Sequence, residues 1–178
     1  MNRAILILLL SATAALAQQP WPNRIVDDFK LRPKRVPLAT LPKTLRVALR
    51  SFDEISPDGE RLPPTLEICR IDLNGDGTPE YIVSSPASYT GGTARIIYQR
   101  TKAGYQNIAY FQGGFHLTAR HNGYYQVESW GRAGGGELTR TLERFEHGRY
   151  RLARIEDYTD DDEPRFVRAR DPKEYNHK

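Results

Sequence analysis

Eight short segments rich in β-branched and aromatic residues follow one another in the central part of the chain, and several are separated by links of only three or four residues. Links of this length join antiparallel neighbours, because parallel neighbours need a crossover of a dozen or more residues. The pattern therefore predicts a mostly β fold, built as an antiparallel meander of hairpins. The predicted strands cover residues 66–73, 80–85, 94–100, 105–111, 115–120, 123–129, 137–145 and 149–157.

The flanks of this β region have a different character. Apolar residues at helical spacing behind Pro42 predict one short N-terminal helix over 42–52. Residues 18–40 show no sustained period and are interpreted as an extended lead-in, so that the β domain with its helix spans 41–158. Residues 159–178 are charged and nearly free of apolar side chains, and we expect them to be mostly disordered.

The first 17 residues are typical of a secretory signal peptide. Arg3 precedes an apolar and small-residue stretch that ends in Ala15-Leu16-Ala17, a small-x-small cleavage pattern. The stretch is too short to span a bilayer stably and no second one follows, so no transmembrane segment is expected. The sequence thus predicts an exported protein, periplasmic or extracellular.

Composition narrows the classes of partner and the sources of stability. The net charge of +4 is only weakly basic, and an exported chain without a recognisable nucleic-acid-binding motif is not expected to bind nucleic acid. Cys69 is the only cysteine, so an internal disulfide is impossible.

The segment DLNGDGTPE, residues 72–80, carries the strongest chemical signal in the chain. Alternate oxygen-bearing side chains, two intervening glycines and a further carboxylate predict a calcium loop, because glycine lets the backbone curl until such oxygens converge. The expected ligands are Asp72, Asn74, Asp76, the carbonyl of Thr78, and Glu80. A helix-loop-helix calcium hand is disfavoured, since Val83 stands where that motif requires glutamate. The alternative is a plain hairpin turn, which Asn-Gly and Asp-Gly pairs also favour.

The segment DLNGDGTPEYIV resembles the calcium loops of FG-GAP and VCBS-type repeats, in which such a loop leads into a strand of a propeller blade. The glycine-rich bend SYTGGT and the closing Phe145-Glu146-His147-Gly148-Arg149-Tyr150 are similar to exported bacterial proteins that carry one such loop in a small β domain. The resemblance implies a propeller-blade-like or curved sheet over roughly 65–155. A closed propeller is not expected, because the chain holds only one DLNGDG.

A partner-binding surface is predicted on the later strands. The proposed contacts are Trp130, Arg140, Arg144 and Arg149. An aromatic side chain beside several arginines suits an acidic envelope protein or an anionic envelope polymer. The alternative is cross-strand ion pairing with the interspersed glutamates.

The expected role is an exported calcium-binding β module that acts in binding or in structure in the cell envelope or secreted space. One alternative is an inhibitor or immunity-type protein that blocks an enzyme with the glycine-rich loop 131–136. Another is a hydrolase that uses the clustered carboxylates of Asp157, Asp160, Asp161 and Asp162, although a charged tail offers no rigid scaffold for acids. The sequence favours a role without catalysis.

Overall fold

The computed structural model describes residue 31 and residues 33–51, 62–89 and 92–175. The predicted signal peptide over 1–17 and most of the predicted lead-in lie outside the described residues. In the described parts, one α-helix, α1, spans Lys43–Arg50, and short 3-10 turns occupy Leu38–Thr40 and Pro172–Glu174. The ten strands are β1 Lys34–Pro37, β2 Thr65–Ile71, β3 Glu80–Tyr89, β4 Gly92–Thr101, β5 Gly104–Gln112, β6 Gly114–His121, β7 Tyr124–Gly134, β8 Glu137–Glu146, β9 Arg149–Thr159 and β10 Phe166–Arg170.

The strands form two antiparallel five-stranded sheets. The first sheet has the order β1-β2-β3-β4-β5 and the second has the order β10-β9-β8-β7-β6, so within each sheet every strand pairs with its neighbours in sequence. This confirms the prediction of a mostly β, antiparallel fold with one short helix. The eight predicted strands correspond to β2 through β9. The division of the meander into two sheets was not predicted.

Helix α1 covers the outer face of the first sheet. Pro42 precedes its first residue, and Leu45 and Leu49 are fully buried against Leu66, Val83 and the neighbouring strands. Spacing of four residues places both leucines on one face, which explains why so short a helix is retained. Within the described residues, no helix has the length and apolar character needed to cross a membrane.

A second hydrophobic core lies between the two sheets. The first sheet contributes Ile82, Ile97 and Phe111, and the second contributes Phe115 and Val127, all at most 3% exposed. Residues of β3 alternate between the two cores, since Ile82 faces the second sheet while Val83 faces the helix. The first sheet is therefore apolar on both faces and is the central layer of three.

Gly113 is the single residue between β5 and β6, where the chain leaves one sheet and enters the other. Its φ is +85°, and its amide donates to the carbonyl of Thr93 at 3.1 Å. Its carbonyl accepts from the Arg95 guanidinium. A Cβ at this position would collide with the backbone carbonyl of Trp130, so the corner requires glycine for space as well as for conformation.

The structure differs from the prediction for residues 159–178. Within this segment β10 pairs with β9, and residues 176–178 lie outside the described part. Arg168 and Arg170 of β10 both contact the fully buried carboxylate of Asp157, with Arg170 Nη2 at 2.6 Å from Oδ1 and Arg168 Nε at 2.8 Å from Oδ2. Charge pairing with a buried acid, rather than apolar burial, holds this strand, and a composition argument cannot detect it.

Replacing Gly113 with alanine is expected to destabilise the protein by more than about 3 kcal/mol, because overpacking against backbone adds to the cost of a left-handed alanine. Gly123→Ala is the matched control, since Gly123 has φ +84° and no atom near its missing Cβ. It should cost only about 1 kcal/mol. Urea unfolding of both variants measures the difference, and equal losses would contradict a packing requirement at this corner.

Candidate functional site

The loop between β2 and β3 is organised around the carboxylate of Asp72. Oδ1 accepts the amides of Gly75 and Asp76 at 2.7 and 3.1 Å, and Oδ2 accepts the amide of Gly77 at 2.9 Å. Gly75 and Gly77 adopt φ of +79° and +83°, which turns the three amides toward one side chain. Asp72 therefore fixes the curled backbone that the sequence predicts.

Asn74 and Asp76 complete the same turn. Asn74 Oδ1 accepts the Asp76 amide at 2.9 Å, and Asp76 Oδ1 accepts the Thr78 amide at 2.6 Å. Asn74 Nδ2 also donates to Asp76 Oδ2 at 2.9 Å. These bonds, that from Asn74 first, lower the pKa of the exposed Asp76 carboxyl. Asp76 is thus an ionised oxygen donor at the protein surface.

Glu80 faces the interior instead of the solvent. It is 2% exposed, with Oε2 accepting the Leu73 amide at 2.8 Å and Oε1 accepting Gln99 Nε2 at 3.2 Å. Burial raises the pKa of Glu80, and the hydrogen bonds from Leu73 and Gln99 oppose the rise. The two carboxylate oxygens of Glu80 therefore connect Leu73, at the start of the loop, with Gln99 in β4. Glu80 thus has a different role from Asp72, Asn74 and Asp76.

The donor chemistry of the loop fits a hard cation better than a soft one. Asp72, Asn74, Asp76 and the carbonyl of Thr78 supply only oxygen, and carboxylate oxygens that accept one amide retain a further lone pair. In the described ranges, no group of three or more His, Cys, Asp or Glu side chains is arranged to hold a metal ion. This agrees with the inward position of Glu80, which leaves two carboxylates at the loop surface.

The loop also connects the two sheets. The carbonyl of Leu73, a residue with no exposed surface, accepts the amide of Tyr125 in β7 at 2.9 Å. The hydroxyl of Tyr124 accepts from Asn74 Nδ2 at 3.1 Å and from Gln99 Nε2 at 2.7 Å. One main-chain bond and one shared hydroxyl thus join the first sheet to the β6–β7 hairpin of the second.

Arg120, near the end of β6, lies against the same loop. Its guanidinium is 4.6 Å from the centroid of the Tyr125 ring, and Nη1 is 3.5 Å from the carbonyl oxygen of Asn74. Sequence reasoning missed Arg120 and Tyr124, because they lie 46 and 50 residues from Asn74 and only the folded topology brings them to it.

The predicted partner-binding residues divide into two groups. Trp130 and Arg140 are 3% and 7% exposed, so the structure does not present them to a partner. Arg144 is half-buried and donates from Nε to Gln126 Oε1 at 2.8 Å, while Arg149 is exposed at the β8–β9 turn. The prediction missed that Trp130 and Arg140 are opposite each other in the β7–β8 ladder and that both are buried.

Arg140 belongs to a buried ion pair. Its Nε donates to Glu128 Oε1, and His116 Nε2 lies 3.5 Å from Glu128 Oε2. Desolvation opposes ionisation of Glu128, but the hydrogen bonds from His116 and Arg140 outweigh it and lower the pKa to about 2. Glu128 therefore pairs with Arg140 across β7 and β8.

The carboxylates named for hydrolysis are placed in separate ion pairs. Asp157 is bound by Arg170 and by Thr139, Asp160 lies 3.0 Å from Arg132, and Asp161 lies 3.6 Å from Arg165. Asp162 is exposed. The glycine-rich segment 131–136 is mostly strand, with Gly135 and Gly136 forming a tight turn.

A cavity of about 570 Å³ lies between β5 of the first sheet and β7 to β9 of the second. Glu143 of β8 lines it, and burial raises the pKa of this carboxyl to about 8. Its side chain is of intermediate exposure, since part of its surface faces the cavity. Sequence reasoning treated Glu143 as one of several surface glutamates, because alternation along β8 does not reveal which face a second sheet covers.

Comparison with protein-family models, with curated proteins and with solved structures finds no match to this chain.

Glu128→Gln is expected to destabilise the fold by about 3 kcal/mol at neutral pH, because it leaves the Arg140 charge buried without its counter-ion. The lowered pKa of Glu128 means that its ionised form stabilises the native state above the unfolded pKa near 4.5 and loses this effect as the pH falls toward 2. The difference between wild type and variant should therefore shrink in acid. Urea unfolding at several pH values measures it, with Glu163→Gln as an exposed control.

Proposed function

We propose that this protein is an exported calcium-binding β module with a structural and binding role, in which the ion reinforces the contact between the two sheets. The observation that carries the proposal is the position of the 72–78 loop, which presents two surface carboxylates and also holds the first sheet to Tyr124 and Tyr125 of the second. A ligand that stiffens this loop stiffens the junction of the two sheets.

Electrostatics supports a cation at this place. Asp76 is exposed and its pKa is lowered, first by the hydrogen bond from Asn74. Besides burial, its negative charge contributes to the raised pKa of Glu80, so the loop presents a charge that attracts a cation. Calcium accepts six to eight oxygens in flexible geometry, and water molecules complete a protein ligand set of four. Because Glu80 is engaged in the interior, the affinity expected is that of extracellular modules, with a Kd of about 0.1–1 mM.

The FG-GAP and VCBS resemblance is part of the same proposal. The loop leads directly into β3, as the resemblance implies for a blade strand. We place the likeness in β2, the loop and β3, where the motif lies, and we assign the propeller-blade-like character to this part of the first sheet alone.

The binding role rests on exposed positive charge near the β8–β9 turn. Arg149 and Arg154 are exposed and Arg144 is half-buried, and an anionic envelope polymer or an acidic protein is the partner that complements them. Export of the chain, inferred from residues 1–17, places such a partner in the periplasm or outside the cell. Calcium at millimolar concentration is compatible with that compartment.

The test compares wild type with Asp76→Asn by calorimetric titration and by thermal unfolding, with calcium and then with chelator. Asparagine retains an oxygen for the Thr78 amide, so this variant keeps the backbone bond of the turn, while it removes the charge and the bond from Asn74 Nδ2. At about 100 times Kd, calcium should stabilise wild type by about 2.7 kcal/mol and raise its Tm by about 5–10 °C. Asp76→Asn should show little of this shift.

Glu163→Gln removes one exposed negative charge elsewhere and should behave as wild type. Magnesium should bind more weakly, because it demands a more regular octahedral ligand set. A wild-type protein whose Tm is the same in calcium and in chelator would show that the loop is a hairpin turn only.

A further inference from the structure

The cavity between the sheets has the dimensions and lining of a small-molecule site, and it is separate from the calcium loop. Its volume of about 570 Å³ lies within the range of ligand pockets, about 300–1,000 Å³. Exposed Tyr110 and Tyr175 are among its lining residues, so it is accessible from solvent on that side.

The inner part of the cavity offers an apolar surface with a small number of hydroxyl groups. Phe111 of β5 faces Leu152 and Ile155 of β9 across it. The hydroxyls of Ser129 and Thr141 lie 2.7 Å apart, so one donates to the other and the second retains a hydrogen for a ligand. An apolar body with a polar end fits this combination.

Glu143 is the only acidic side chain among the described lining residues. Within the described part of the chain its carboxyl group has no ion pair or hydrogen bond, and burial alone raises its pKa to about 8. At neutral pH it is therefore a neutral acid that donates an O–H. Because Glu143 lines the cavity, its O–H is available to an acceptor on a ligand that enters there.

The remaining charged groups of the lining are basic. Arg132, Arg149 and Arg151 line the cavity, and of these Arg132 is paired with Asp160 at 3.0 Å. With Glu143 neutral, the net charge of the lining is positive, which attracts an anion and repels an amine.

We propose that this cavity binds a small organic carboxylate with an apolar or aromatic body, its carboxylate accepting a hydrogen bond from the Glu143 carboxyl and attracted by the positive charge of the lining arginines, Arg149 among them. An O–H···O⁻ bond between an acid and a carboxylate is short and strong, and it selects the ionised form of the ligand over its amide. The apolar body of the ligand lies between β5 and β9. This inference does not depend on calcium at the loop.

The test uses three probes of similar shape and different charge, 4-fluorophenylacetate, 4-fluorophenylacetamide and 4-fluorophenethylamine, monitored by fluorine NMR line broadening with wild type in chelator. The acetate should bind at least about tenfold more tightly than the amide or the amine. Its affinity should fall at least about tenfold from about pH 6.5 to about pH 9.5, because ionised Glu143 cannot donate and repels the carboxylate.

Two variants with matched controls test the roles of the named residues. Glu143→Gln keeps a neutral hydrogen-bond donor, so it should retain binding and lose the pH dependence, whereas Glu146→Gln on the same strand should keep both. Arg149→Gln should weaken binding several-fold, whereas Arg154→Gln, an exposed arginine outside the described lining, should not. Arg149 is at the surface, so its replacement leaves the fold intact.

Equal binding of the three probes, tighter binding of the amine, or no binding of any probe to wild type at about 10 mM would overturn the proposal. So would an unchanged pH dependence in Glu143→Gln, because the titrating group would then lie elsewhere.

Discussion

The junction of the two sheets depends on one carboxylate. By accepting three amides of a single turn, Asp72 holds the 72–78 segment in the curl that buries Leu73 and offers its carbonyl to Tyr125. A charged acceptor gives stronger hydrogen bonds than a neutral one, so a short loop without a hydrophobic core of its own acquires a fixed shape. That shape fixes where the Tyr124–Tyr125 end of β7 lies on the first sheet, while the apolar core between the sheets holds the part of β7 at Val127. The proposed calcium site is a second use of the same geometry.

Charge inside the protein has a comparable role in the second sheet. Glu128 with Arg140 joins β7 to β8, and Asp157 with Arg170 joins β9 to β10. Pairs of this kind contribute little net stability compared with apolar residues, but removal of one partner is costly, so they favour one strand register over its alternatives. Among the described elements, no helix packs on this second sheet. Ion pairs between its strands supply part of the stabilisation that α1 supplies to the first sheet.

The strands and the helix could be predicted from the sequence because they follow from local pattern, as Leu45 and Leu49 on one face of α1 illustrate. The loop backbone was predictable for the same reason, since Gly75 and Gly77 lie within it. The inward position of Glu80 and the burial of Trp130 and Arg140 could not be predicted, because each depends on contacts with neighbouring strands that a local pattern does not reveal. Strand β10 was not predicted, because Asp157, the residue that its arginines contact, belongs to β9. Calcium affinity depends on ligand number and charge rather than on local pattern, so it is a matter for titration.

Hydrogen exchange at the Tyr125 amide tests the central claim most directly, because this group bonds to the loop carbonyl of Leu73 and to no other described backbone acceptor outside its own sheet. In wild type it should be strongly protected. In Asp72→Ala it should exchange much faster, while amides of the β8–β9 ladder such as that of Thr141 remain protected. Exchange of Tyr125 at the same rate in both proteins would contradict the claim, because the sheets would then be joined without the curl that Asp72 holds.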